Sequence, residues 1–217
     1  MKNIFARHLT EMKSKVIAMG AMVGKSIDDA VISLRERDLE LARAIMANDD
    51  AVDALEKEIE QLCTHLIATC QPFAADLRHI IAGYKIITAL ERMGDLAVDM
   101  AQVSLRIGPE KLIKPLIDIP AMAREVQLGI KEVIAAYTGE NLEGARRIAE
   151  IDDKVDMYYG RIVTELCQLM EQKPALVPQG VQLVLVARFL ERIGDYATNI
   201  GEEIIYMSLG VRESLNE

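Results

Sequence analysis

Leu90–Asp99 (LERMGDLAVD) and Leu190–Asn199 (LERIGDYATN) are near-copies of each other, placed 100 residues apart in the chain. Each stretch has two carboxylates four residues apart, and a third oxygen-bearing side chain follows four residues later. On an α-helix this spacing brings the three side chains onto one stripe. A repeated stripe of oxygen ligands predicts a duplicated helical chain with a metal site in each half.

The composition favours a helical core and argues against nucleic acid as a partner. Hydrophobic residues make up 51% of the 217 residues, aromatic residues only 4%, and tryptophan is absent. Aliphatic side chains and methionine must therefore fill the core, which suits helix packing better than a sheet sandwich. The net charge of −9 is the wrong sign for nucleic acid, because phosphates are bound by a basic surface.

The sequence predicts a cytoplasmic protein that does not insert into a membrane. No secretory signal precedes the charged amphipathic pattern at the N-terminus, and no uninterrupted apolar run reaches about 18 residues. The three cysteines form no CxxC motif and are odd in number, as expected of reduced thiols. Cys63 and Cys167 lie at similar places in the two halves, so both are predicted to be small core residues.

Apolar periodicity and the positions of prolines predict an all-α fold with six helices. Apolar residues repeat at three- and four-residue steps from Leu9 to Leu34, and Pro72 separates the second helix from the third. The predicted helices span about 9–34, 38–70, 74–106, 121–137, 142–171 and 179–209. They form two tandem three-helix bundles, one in residues 1–110 and the other in residues 118–217.

The turn at Pro72 predicts which acidic residues face each other on the second and third helices. Asp49 and Asp95 each lie 23 residues from Pro72, while Asp53 and Glu91 each lie 19 residues from it. An antiparallel hairpin therefore brings each of these two pairs together. The same reasoning in the second half pairs Asp152 with Asp195, and Asp156 with Glu191.

Such clustering of carboxylates needs a compensating positive charge. Like charges at i and i+4 cost roughly 0.2–0.5 kcal/mol per pair on an exposed helix, and Arg92 or Arg192 alone cannot balance four carboxylates. Oxygen-only ligands suit Mg²⁺, Mn²⁺, Ca²⁺ or carboxylate-bound iron. The alternative is a solvated acidic face with Arg–Asp pairs. Gly94 and Gly194, costly inside helices, indicate close approach of a neighbouring helix or of a ligand.

These motifs resemble the PhoU family of phosphate-signalling regulators over essentially the whole chain. The resemblance is carried by the doubled E-R-x-G-D motif with Asp99 or Asn199, by the D-x-x-x-D pairs that begin at Asp49 and Asp152, and by the Gln71–Arg78 stretch (QPFAADLR). It implies two three-helix bundles related by a pseudo-twofold axis. It further implies metal ions or metal clusters of Fe, Mn, Mg or Zn. The implied ligands are Asp49, Asp53, Glu91, Asp95, Asp99, Asp152, Asp156, Glu191, Asp195 and Asn199.

The resemblance also implies a cytoplasmic, homodimeric negative regulator of phosphate uptake and of the phosphate-starvation response. Such proteins link the ATPase of the phosphate ABC transporter to a sensor histidine kinase. Asn199 carries one charge fewer than Asp99, so the second site is expected to bind metal more weakly or differently.

Two alternative functions follow from the same residues. The helical module could serve a different phosphate transporter. A carboxylate-metal phosphohydrolase would need an open coordination position and a general acid or base, and no duplicated His or Lys supplies one. The sequence also lacks a glycine-rich phosphate loop and a GxSxG motif. A protein that is not an enzyme is therefore predicted.

Overall fold

Helices account for nearly all of the chain in a computed structural model, which describes the backbone of residues 2–215 and the side chains of residues 5–215. This part of the chain forms eight α-helices and one short 3-10 helix at Pro174–Leu176. The α-helices are α1 (Lys2–Glu36), α2 (Leu39–Ala47), α3 (Asp49–Cys70), α4 (Ala75–Ile107), α5 (Asp118–Gly139), α6 (Leu142–Arg146), α7 (Ile148–Gln172) and α8 (Val177–Leu209). The predicted all-α fold of two repeats is confirmed.

Two of the six predicted helices are interrupted, and each interruption precedes acidic residues of interest. The second predicted helix is divided at Asn48 into α2 and α3, and the fifth is divided at Arg147 into α6 and α7. The ψ angles there, −1° and −13°, depart from the value of about −42° in a regular α-helix. The Asn48 N–H accordingly donates to two carbonyl oxygens, those of Ala44 and Ile45.

The apolar stripe of α1 forms one side of the core, as the periodicity predicts. Its residues Met12, Val16, Met19, Val23, Ile27, Ala30 and Leu34 are all buried. The equivalent stripe of α5, which includes Met122, Val126 and Ile130, is also buried. The prediction for the cysteines holds only for Cys63; Cys167 is exposed. It follows Leu166, which belongs to the buried stripe of α7, and one residue further along a helix points about 100° away.

The repeats pack against each other mainly through α4 and α8, their equivalent third helices. The two helices run antiparallel, since Lys85 pairs with Glu203 at 2.7 Å whereas Arg106 donates to Gln182 at 3.5 Å. This antiparallel pairing of equivalent helices is the arrangement that a pseudo-twofold axis produces. Gly20 also lets α1 approach Ile134 of α5 closely. None of the described helices is long and apolar enough to cross a membrane.

Candidate metal-binding sites

The hairpin of α3 and α4 gathers four of the predicted residues into a first acidic cluster, Asp49, Asp53, Glu91 and Asp95. Burial, followed by the charge of Asp95, raises the pKa of Asp49 above its usual range. Burial, Asp95 and Asp53 raise the pKa of Glu91, while Arg92 opposes the shift. Both predicted facing pairs are therefore close enough to repel each other, which confirms the register counted from Pro72.

Basic side chains partly neutralise the first cluster. The Arg92 guanidinium lies 3.4 Å from the Glu91 carboxylate and 3.2 Å from that of Asp95. Lys57 approaches Asp53 at 3.8 Å from the next turn of α3. At least one partner of each pair is substantially exposed, so each pair contributes little to stability. The first cluster is thus a half-buried carboxylate group with its own cationic partners.

The hairpin of α7 and α8 gathers a second acidic cluster, Asp152, Asp156, Glu191 and Asp195. Burial, followed by the charges of Asp156 and Asp195, raises the pKa of Asp152 to about 6, although Thr198 opposes the shift. Burial, Asp195 and Asp156 raise the pKa of Glu191, and Arg188 opposes that change. The predicted pairs of the second half are therefore also brought together.

Two oxygens of the second cluster are buried without a hydrogen-bond partner, Oδ1 of Asp152 and Oε2 of Glu191. Asp152 is only 7% exposed. The other carboxylate oxygen of Glu191 accepts from Arg188. A buried polar atom without a partner is unfavourable by about 1–3 kcal/mol, and more for a charged group. The second cluster therefore offers two oxygens that a bound ion or water would satisfy.

The paired glycines mark close approach of a neighbouring helix. A Cβ atom placed on Gly194 would lie 2.7 Å from Oδ1 of Asp152, whereas one on Gly94 would lie 4.0 Å from Oδ1 of Asp49. Real Cβ atoms do not approach oxygen as closely as 2.7 Å. Gly194 is thus needed where the Asp152 carboxylate meets α8, while the corresponding space beside Gly94 would accept a methyl group.

The structure does not bring Asp99 and Asn199 into the clusters. Asn199 is exposed and lines a groove of about 230 Å³ between α4 and α8, together with Lys85, Arg92 and Tyr196. Asp99 is half-buried on α4. Among the described residues, no hydrogen bond or ion pair joins either residue to the four acids of its repeat. Each lies about 80° around its helix from Glu91 or Glu191 and about 40° from Asp95 or Asp195.

Glu56 adjoins the first acidic cluster, and the sequence analysis did not identify it. It lies one turn after Asp53 on α3, and burial followed by the charge of Glu91 raises its pKa. The i+3 spacing from Asp53 could have identified it. In the second repeat, none of the described residues of the acidic cluster corresponds to Glu56.

The carboxylates of the two clusters are the type of ligand that a hard cation prefers, but their present arrangement does not form a metal site. Among the described residues, no group of three or more His, Cys, Asp or Glu side chains is arranged so that it could hold a metal ion. The carboxylate oxygens, and above all the two unpartnered ones of Asp152 and Glu191, are nevertheless ligands of the kind that Mg²⁺, Mn²⁺ and carboxylate-bound iron prefer. Binding would require these side chains to turn toward the ion.

The fold and the two clusters define a class: a duplicated all-helical protein with one group of facing carboxylates on the second hairpin of each repeat. The PhoU domain model matches residues 16–104 and 119–204. A phosphate-specific transport system accessory protein PhoU homolog of Clostridium acetobutylicum is 39% identical over 217 residues, covering 100% of this chain and 99% of the relative. Its counterpart in Caulobacter vibrioides is 36% identical, covering 94% of this chain and 89% of the relative.

Solved structures give the same result. The crystal structure of PhoU from Pseudomonas aeruginosa matches with a TM-score of 0.91 and 32% identity, covering 95% of this chain and 100% of that one. The phosphate transport system regulatory protein PhoU from Streptococcus pneumoniae matches with a TM-score of 0.90 and 27% identity, covering 97% and 99%. The chain belongs to the PhoU family, whose members are accessory and regulatory proteins of phosphate transport and are not enzymes.

Proposed function

We propose that this chain is a cytoplasmic, homodimeric negative regulator of phosphate uptake and of the phosphate-starvation response. In this proposal it acts as an adaptor between the ATPase of a phosphate ABC transporter and a sensor histidine kinase. The observation that carries the proposal is the match to the PhoU domain in both repeats, together with relatives whose names place them in phosphate-specific transport.

The test is deletion of the gene and measurement of a phosphate-starvation reporter in phosphate-rich medium. Loss of repression is expected, with restoration by the wild-type gene on a plasmid. A normal phosphate response in the deletion strain would contradict the proposal. Dependence on a different phosphate transporter would appear as derepression that persists when the phosphate ABC transporter is deleted as well.

The proposal includes cations bound by the acidic clusters, Fe, Mn, Mg or Zn being the candidates. Asp49, Asp53, Glu91 and Asp95 would hold the ion of the first repeat; Asp152, Asp156, Glu191 and Asp195 would hold that of the second. A bound cation would neutralise carboxylates that now repel one another. Support comes from the raised pKa values of Glu91 and Glu191 and from the unpartnered buried oxygens of the second cluster.

Metal content measured by mass spectrometry on protein purified without chelator or polyhistidine tag tests this part of the proposal. The variants Glu91→Gln/Asp95→Asn and Glu191→Gln/Asp195→Asn should each lose the metal of one repeat and retain their helical circular dichroism. Without metal they should be as stable as the wild type or slightly more stable, because repulsion is relieved. If the wild-type protein neither contains metal nor takes it up, cation binding is contradicted and both clusters are solvated acidic faces.

A further inference from the structure

One carboxylate at the end of α5 contacts two basic side chains of the other repeat. The Lys13 ammonium of α1 donates to Oε1 of Glu140 at 2.8 Å, and Nε2 of His79 on α4 lies 3.4 Å from the same oxygen. The two basic side chains are only 20% and 17% exposed, whereas Glu140 is 46% exposed. These contacts join the turn between α5 and α6 of the second repeat to two helices of the first.

Both ring nitrogens of His79 face oxygen atoms. Nδ1 lies 2.8 Å from the carbonyl oxygen of Ala75, one turn earlier on α4, and Nε2 faces the Glu140 carboxylate. A neutral imidazole carries one N–H, so one of its nitrogens always presents a lone pair. Neither a carbonyl oxygen nor an ionised carboxylate can donate a hydrogen bond to that lone pair. The doubly protonated ring donates from both nitrogens and is the form that satisfies both contacts.

The charged and titratable groups around His79 come from four helices: Asp76 and Arg78 on α4 itself, Lys13 on α1, Cys63 on α3, and Tyr137 and Glu140 at the end of α5. Arg78 is turned toward α8, where it donates to the Met207 carbonyl oxygen. The hydrogen bond from Lys13 lowers the pKa of Glu140, although burial opposes the shift, so this carboxylate stays ionised. Burial raises the pKa of Cys63 to about 11 and that of Tyr137 well above its usual range, so both stay neutral. An imidazole, by contrast, ordinarily changes its charge between about pH 5 and pH 8.

The backbone at Glu140 depends on these contacts. Glu140 lies in the left-handed region, with φ 50° and ψ 39°, which a residue with a side chain disfavours. Arg37 occupies the equivalent position after α1 and has a similar φ of 59°. Among the described residues, however, no ion pair or hydrogen bond involves the Arg37 side chain. The two basic partners are thus a feature of the turn in the second repeat, where they hold a strained residue in place.

We infer that Lys13, His79 and Glu140 form a proton-dependent clamp between the two repeats. The clamp is closed when His79 carries its second proton. When the ring is neutral, Nε2 presents a lone pair to the carboxylate, and Lys13 alone holds Glu140. The contribution of the His79 contact to stability is therefore present at low pH and is lost as the pH rises through the range in which the imidazole loses that proton. Its loss leaves the strained turn with one partner instead of two, so the turn opens more often.

A double-mutant cycle on the full-length protein measures the clamp. The thermal midpoint is determined at about pH 5.5 and at about pH 8 for the wild type, His79→Gln, Glu140→Gln and the double variant. The cycle cancels contributions that all four proteins share, including the titration of Asp152. The coupling between His79 and Glu140 should be about 1–3 °C at the lower pH and less than half of that at the higher pH.

His8 provides a matched control. Its Nδ1 lies 3.4 Å from the Glu11 carboxylate, and the two side chains are 19% and 49% exposed, close to the values for His79 and Glu140. Glu11 belongs to the same helix as His8, however, so this pair does not connect the repeats. His8→Gln should therefore leave the pH dependence of the turn unchanged. His79→Arg keeps a positive charge at both pH values, so it should retain the coupling to Glu140 at both.

Hydrogen exchange measures the opening of the turn directly. The Asn141 N–H, next to Glu140, donates to the Ala136 carbonyl oxygen at 2.9 Å. Its protection factor, corrected for the intrinsic pH dependence of exchange, should fall severalfold between the two pH values in the wild type and in His8→Gln. In His79→Gln it should be low at both. If His79→Gln fails to fold by circular dichroism, Glu140→Gln replaces it in this test, because its side chain is the more exposed of the two.

Three outcomes would overturn the inference. The first is a coupling between His79 and Glu140 that is absent, or that is equal at the two pH values. The second is a protection factor of the Asn141 N–H that does not change with pH in the wild type. The third is a His8→Gln variant that loses the pH dependence as His79→Gln does, since the effect would then not be specific to the contact between the repeats.

Discussion

At the residue scale, Asp152 is the position where burial and charge conflict most directly. Its pKa is about 6 in the folded protein, because burial and then Asp156 and Asp195 disfavour the charged form. The usual value is 3.8. Between these two values the folded state binds more protons than the unfolded state, so stability falls as the pH rises through this window. Above it, the unfavourable ionised form is fully present.

The stability of the cation-free protein should therefore decrease between about pH 4 and pH 7, and Asp152 should account for part of the decrease. A shift of about two pKa units corresponds to about 3 kcal/mol. Chemical denaturation in the presence of chelator measures the effect. Asp152→Asn should flatten the pH profile and raise the unfolding free energy at pH 7.5, while the more exposed Asp49→Asn should do so less. Identical profiles for wild type and Asp152→Asn would contradict the assignment.

The two glycines of the repeated motif should respond in opposite ways to alanine. Gly194→Ala forces a Cβ atom against Oδ1 of Asp152 and should destabilise the protein by about 1–3 kcal/mol, as overpacking does. Gly94→Ala meets only ordinary contacts and gains helix propensity, so it should be neutral or stabilising by up to about 1 kcal/mol. Urea denaturation compares the pair. Equal effects would show that the carboxylate can move away at little cost.

Much of the residue-level site could be predicted from the sequence, because helix periodicity and one proline determine the register of a hairpin. Counting from Pro72 correctly places Asp49 beside Asp95 and Asp53 beside Glu91. The burial of Asp152 could not be predicted, because it depends on how α5 covers the α7–α8 hairpin. The spacing and the family resemblance both place Asn199 with the acidic stripe, whereas in the structure it is exposed and lines the groove between α4 and α8, a position that depends on how the repeats pack.

At the scale of the element, the turn between α3 and α4 adopts an unusual backbone conformation. Gln71, the residue that follows α3, lies in the left-handed region with φ 47° and ψ 58°. A residue with a side chain is about 1–2 kcal/mol less stable there than in the right-handed region, and glycine avoids that cost. Ala74, before α4, also has a positive φ of 47°. The packing of α3 and α4 must therefore hold the turn in this unfavourable backbone conformation.

Gln71→Gly should stabilise the protein by about 1 kcal/mol, because glycine adopts the left-handed conformation without strain. Glu140, which follows α5 with φ 50°, is the matched control. Glu140→Gly relieves the same strain but loses the 2.8 Å contact with Lys13 and the 3.4 Å contact with His79. Its net effect should be close to zero. Thermal unfolding of both variants gives the comparison, and a destabilised Gln71→Gly would contradict the strain argument.

The order and approximate extents of six helical segments could be predicted, but the interruptions at Asn48 and Arg147, which divide two of them, could not. The second predicted helix is apolar on one face throughout, so periodicity gives no signal of a break. The signals that exist are local: Asp38 accepts from the Leu41 N–H at 2.9 Å, and Asn141 accepts from the Gly144 N–H at 3.1 Å. Such caps mark where α2 and α6 begin, but the ends of these short helices depend on tertiary packing.

At the scale of the whole molecule, the contact between α4 and α8 joins the repeats. Lys85 pairs with Glu203 across it, and Arg78 donates from Nε to the Met207 carbonyl oxygen at 3.3 Å. A guanidinium at the last turn of α8 also interacts favourably with the helix dipole. Arg78 belongs to the QPFAADLR stretch of the first hairpin, so that motif has a structural role in binding one repeat to the other.

A chain shortened to residues 1–110 should not behave as a stable monomer. Buried residues extend along α4 from Ile80 to Ile107, and part of this surface is covered by α8 of the other repeat. We expect the fragment to associate or aggregate, which light scattering coupled to gel filtration would detect; the full chain is the control. A monomeric fragment that unfolds cooperatively would show that the first repeat is an independent domain.

Because both repeats lie in one chain, their sequences can change independently, which is not possible for two identical chains. In a symmetric pair of identical subunits every substitution changes both copies of a site, so the sites are identical by sequence. Here Asp49 and Asp152 lie in one chain and can diverge independently, as Gly94 and Gly194 already show in the space beside them. A substitution that alters one acidic cluster therefore leaves the sequence of the other unchanged.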